Sequence, residues 1–194
     1  MKKIILSALV VMAFSFANAQ ATGSRFGIKG GVNFPNSSGD SHENETLIGY
    51  QVGVFSEIKT DEKFAIQPEL LYSTHGVKNE FIKDGIAYND DIKLAYLNLP
   101  ILAKYFVIDG LNVQAGPQIG FLMHAEENGI NITDHVKTVD FGLAFGIGYN
   151  FLEYCSVDLR YNIGLSNAVD FHIEDDSYKI KNNVFSLAFG YKLN

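Results

Sequence analysis

Eight stretches of the chain alternate bulky apolar side chains with small or charged ones, residue by residue. That period of two belongs to β-strands, whose successive side chains leave opposite faces; a helix would repeat near 3.6. The stretches are Arg25–Phe34, Leu47–Ile58, Phe64–Thr74, Ile92–Phe106, Leu111–Met123, Thr138–Phe151, Cys155–Ser166 and Asn182–Leu193. In the sixth, Val139, Phe141, Leu143, Phe145, Ile147 and Tyr149 oppose Asp140, Gly142, Ala144, Gly146, Gly148 and Asn150. In the last, Phe185, Leu187, Phe189, Tyr191 and Leu193 oppose Ser186, Ala188, Gly190 and Lys192. A slip of one residue would exchange the two faces, so the pattern fixes which side meets which medium.

The connections alternate as well. Four are long and polar, at 35–46, 75–91, 124–137 and 167–181; three are short, at 59–63, 107–110 and 152–154. Outer-membrane barrels have this rhythm, with short turns toward the periplasm and long loops outward. The start of the chain agrees. Lys2 and Lys3 precede an apolar run from Ile4 to Phe16, and Ala17-Asn18-Ala19 is an A-x-A cleavage site. Residues 1–19 therefore read as a cleavable signal peptide and 20–194 as one barrel domain. No later apolar stretch reaches the ~18 residues of a transmembrane helix. Loss of Lys2 and Lys3 takes the net charge from −7 to −9, and the long loops hold the acidic excess. That balance argues against nucleic acid as a partner. The single cysteine, Cys155, has no internal disulfide partner and reads as a small buried or interfacial residue.

A soluble sandwich or carrier barrel would turn the bulky face inward. The signal, the loop rhythm and the aromatic positions favour the opposite arrangement, in which that face meets lipid and all backbone hydrogen bonds close between strands. Phe26, Phe64, Tyr105, Tyr149 and Tyr191 fall near the periplasmic strand ends; Phe34, Tyr50, Tyr72, Phe121, Phe141 and Phe185 fall near the outer ends. Two such belts suit rings at headgroup level. The expected fold is all-β: an eight-stranded antiparallel up-and-down transmembrane β-barrel in the cell outer membrane. Pro68, Pro100 and Pro117 lie inside strands, where each removes a ladder donor, so bulges are expected there.

Parity then selects a lumen set: Arg25, Lys29, Glu57, Glu69, Lys104, Asp140, Asp158, Arg160 and Lys192, with Gln51, Gln67, Gln114 and Gln118. Eight strands leave an interior just wide enough for side chains to fill it, so these groups are expected to pair in a polar plug instead of lining a water-filled pore. The five histidines, His42, His75, His124, His135 and His172, fall in or beside the long loops among acidic residues. None has a His-x₃-His or Glu-x-x-His spacing on a regular element, and no metal or cofactor is expected. Nucleophilic catalysis needs a Ser held by a His and oriented by an acid; Ser73 and His75, two apart in a strand, point the same way, a weak signal of such a site, and no enzyme is expected.

Four segments carry a family likeness: Gly27-Ile28-Lys29-Gly30-Gly31-Val32-Asn33-Phe34, Gln67-Pro68-Glu69-Leu70-Leu71-Tyr72-Ser73, Tyr96-Leu97-Asn98-Leu99-Pro100-Ile101-Leu102-Ala103-Lys104-Tyr105 and Ala115-Gly116-Pro117-Gln118. They resemble the PorT-type outer-membrane β-barrel proteins of Bacteroidetes over nearly the whole mature chain. The resemblance implies the same barrel and location, and one role within that family is support of type IX secretion. The expected function is structural or interactive, with outer-membrane lipid and lipopolysaccharide around the wall and a protein partner at the extracellular loops. The alternatives are an accessory role in secretion or transport, as for PorT, and a membrane-embedded enzyme acting on lipid or peptide.

Overall fold

The structure, a computed structural model, describes residues 24–37, 44–83, 86–133, 138–165, 172–173, 176–177 and 182–193. Residues 1–19, read above as the signal peptide, lie outside the described residues, as do His42 and His135.

Eight strands form the wall: β1 (Ser24–Ser37), β2 (Gly49–Lys59), β3 (Phe64–Lys83), β4 (Ile86–Phe106), β5 (Leu111–Glu127), β6 (Val139–Asn150), β7 (Cys155–Gly164) and β8 (Asn182–Lys192). Each pairs antiparallel with its sequence neighbours. β1 also pairs with β8, from Gly27↔Lys192 to Ser37↔Asn182, which closes the sheet into a barrel. Closure gives every wall strand two partners, the condition for a β-structure to stand in hydrocarbon.

The two faces follow the sequence parity. On β8, Phe185, Leu187, Phe189 and Tyr191 are exposed on the outside, while Ser186, Ala188, Gly190 and Lys192 are buried. Rings meet across strands at both ends of the wall. Phe64 lies 4.9 Å from Tyr105 at the short-turn end. Phe34–Phe185 and Tyr50–Tyr72 are each 6.3 Å apart at the other end. Phe26 departs from the expected belt: its side chain is shielded, at 9% exposure.

Two expectations need correction. Residues 75–83 and 86–91, expected in a loop, are strand. β3 and β4 run on as a paired hairpin to Lys83↔Ile86, past the last rung of the wall. A short strand, Asn44–Leu47, lies along β3 there, and Ile130–Asn131 folds back on the end of β5. The prolines, in turn, do not bulge the sheet. Register is continuous through Pro68↔Ile101, Pro100↔Gln118 and Pro117↔Leu143, and the ladder only skips rungs beside Pro68 and Pro100. A proline removes a donor but inserts no residue, so it costs a rung and not the register.

The bulges lie elsewhere. Register shifts at Ala95/Tyr96, where Tyr96↔Leu122 is followed by Ala95↔His124 and Met123 is left over. Between Leu47↔Gly76 and Gln51↔Ser73, the β2 side has one residue more than β3, with Ile48 outside the ladder. Both extra residues flank the hairpin at the level where it leaves the wall. Bulges bend and twist a sheet, which suits the transition from barrel to free-standing hairpin.

Candidate functional site

The inward positions are filled by ions. On the periplasmic side, Glu57 of β2 accepts from Lys192 of β8 at 2.8 Å and from Lys104 of β4 at 3.2 Å. Lys104 also donates to Gln67 of β3 at 2.8 Å. Gln67 in turn donates to Glu69, which joins this group to a second one at mid-barrel.

There Arg160 of β7 grips Glu69 in a two-pronged pair, Nη1 to Oε2 at 2.6 Å and Nη2 to Oε1 at 2.7 Å. A planar guanidinium and a carboxylate suit that fork, which is stronger than a single contact. Lys29 of β1 reaches Glu69 at 2.7 Å and Asp158 of β7 at 2.6 Å. Gln114 of β5 donates to Asp158 at 2.9 Å and accepts from Arg160 at 3.0 Å. Four cations and three carboxylates are thus buried together across the barrel, none of these side chains more than 4% exposed.

β5 contributes the neutral amide of Gln114 in place of an ion, and β6 supplies room. A Cβ on Gly146 would stand 2.8 Å from Cγ of Arg160, and one on Gly148 would stand 2.5 Å from Oδ1 of Asp158. The small residues of the sequence pattern are the complement of the large ionic ones. Phe55 enters the same layer from β2: the Lys29 ammonium lies 5.2 Å from its ring centroid, and Gly27 leaves the space its ring takes.

Of the residues assigned to the lumen, Lys29, Glu57, Glu69, Lys104, Asp158, Arg160 and Lys192 come together, with Gln67 and Gln114. Arg25 stands apart at the periplasmic mouth, bound to Glu153 at 3.3 Å. Asp140 is half-buried above the septum, in the wall of a small polar cavity with Gln51 and Gln118. Sequence reasoning missed Phe55, although it shares parity with Gln51 and Glu57. His75, read at the edge of a long loop, is buried on β3 and stacks on Tyr96, 5.2 Å between centroids. Ser73, beside it in the lumen, accepts from Asn33 Nδ2 at 2.8 Å. His124 lies outside, next to Glu126 at 3.4 Å. Among the described residues, no group of His, Cys, Asp or Glu side chains is arranged to hold a metal ion.

The septum holds opposite charges already paired, so it can block a passage and brace the wall. A family model described as outer membrane protein beta-barrel domain matches residues 16–170. No curated protein sequence matches the chain. Solved outer-membrane barrels share its fold, two of them at TM-scores of 0.50 and 0.55. Neisserial surface protein A (NspA) is 13% identical, with a TM-score of 0.55 over 88% of this chain and 97% of its own. Ail, the attachment invasion locus protein of Yersinia pestis, solved with the heparin analogue sucrose octasulfate, is 13% identical. Its TM-score is 0.50 over 88% of this chain and 99% of its own.

Proposed function

The chain belongs to the outer membrane protein beta-barrel domain family, and on that premise we propose that it is a non-conducting anchor displaying its long loops and the β3–β4 hairpin outside the cell. The protein sits in the outer membrane as a closed eight-stranded barrel. The observation that carries the reading is the septum: a lumen crossed by seven mutually paired ions offers no continuous water path. A pore would keep its charges on the wall with water between them. The work of such a barrel then falls to its outer surface. Lipid and lipopolysaccharide surround the wall, a protein partner meets the outer loops, and no chemical step is assigned to the lumen.

Planar-bilayer recording tests this directly. The refolded chain from Gln20 is expected to give no unitary current steps. Regular steps from the wild-type protein would overturn the reading. The likeness to PorT-type barrels of Bacteroidetes in Gln67–Ser73 and Tyr96–Tyr105, neighbouring segments of β3 and β4, favours an export-accessory role as the second reading. Under that role, deletion stops cargo export while other envelope functions persist; under simple display, export continues.

A further inference from the structure

Above the septum, toward the outer end, the lumen narrows to a cavity of about 20 Å³. Its walls include Gln51, Ser73, Asn98, Asp140 and Asn162, polar groups from five different strands. Gln51 is 6% exposed, and among the described residues its Nε2 has no hydrogen-bond partner. A donor left unsatisfied in a buried site keeps its full desolvation cost, so the site calls for an acceptor. The Tyr96 hydroxyl is a second buried polar group without a partner among the described residues, on a ring that stacks against His75, another part of the cavity wall.

The guest that fits is set by chemistry and size. An orphan amide N–H needs an acceptor, which a metal or ammonium ion cannot be. The Asp140 carboxylate in the same wall repels an anion. A group that both accepts and donates satisfies the two sides, and a volume of about 10–15 Å³ holds one such molecule as water. We propose that this cavity is a binding site for one ordered water, which accepts from Gln51 Nε2 and donates toward the carbonyl and carboxylate oxygens opposite. The lumen is then layered: wet at this point, and dry where the ions pair. The water site stands whether or not the outer loops engage a partner.

The chain from Gln20 in lipid nanodiscs, with its glutamine side-chain amides labelled with ¹⁵N, provides the test. Water-to-amide cross-relaxation is read at Gln51 and at Gln67, whose amide is spent on Glu69 and Lys104. The expected result is a cross-peak to water at Gln51 and none at Gln67. A Gln51 amide that shows only protein neighbours overturns the water site. Water at both amides overturns it too, because the lumen would be hydrated throughout, and that outcome also removes the dry septum. Tyr96→Phe keeps the ring on His75 and is expected to leave the Gln51 cross-peak in place; its loss would show that the signal comes from elsewhere.

Discussion

Glu69 accepts from both terminal nitrogens of Arg160, from Lys29 and from Gln67. Replacing it with alanine leaves two buried cations, Arg160 and Lys29, to share the single carboxylate of Asp158. Removing one partner of a buried pair costs about 3–5 kcal/mol. Glu69→Ala is therefore expected to unfold at clearly lower urea concentration in micelles, and an unchanged midpoint would contradict the septum. Gly146→Val is expected to destabilise for the opposite reason, since its Cβ falls against the Arg160 stem; overpacking costs about 1–3 kcal/mol. Seven of the nine ionic residues that parity selects meet in the septum, because a charge deep inside an eight-stranded barrel has nowhere to go but a partner; Arg25 and Asp140 share that parity but stand nearer the two mouths and stay out of it. Phe55 was harder to see. An aromatic in a barrel sequence reads as lipid-facing, and its inward parity makes sense only once Gly27 is seen to yield the space.

Strand existence was readable, but strand length was not. The alternating signal arises because one face meets lipid and the other the lumen. Past the bilayer both faces meet water, the alternation fades, and a strand can continue without it. That is why β3 and β4 read as ending near Thr74 and Ile92, whereas their backbones stay paired to Lys83 and Ile86. The bulge at Met123 and the extra residue Ile48 were equally silent, since a bulge is a property of two strands and not of one. The projecting part of the hairpin adds rungs to itself and few to the wall. Joining Val77 to Ile92 through a two-residue turn is expected to leave the heat-induced gel shift of the barrel unchanged. A truncated protein that no longer folds would show that the hairpin is part of the wall's stability.

At the scale of the molecule, rhythm and parity specify the architecture: eight strands, antiparallel, closed by β1 on β8. Function is less legible, because the surface such a barrel presents outside is carried by its long loops, whose polar residues follow no period and name no partner. Everything rests on the direction of the two faces. The sharpest check uses spin labels at Leu187 and Phe145, outward positions of β8 and β6, introduced one at a time into a Cys155→Ser background in lipid bilayers. Oxygen, which concentrates in hydrocarbon, is expected to relax both labels strongly, and a water-soluble nickel chelate weakly. Strong relaxation by the chelate and weak relaxation by oxygen would place the bulky side chains away from lipid and contradict the barrel as described.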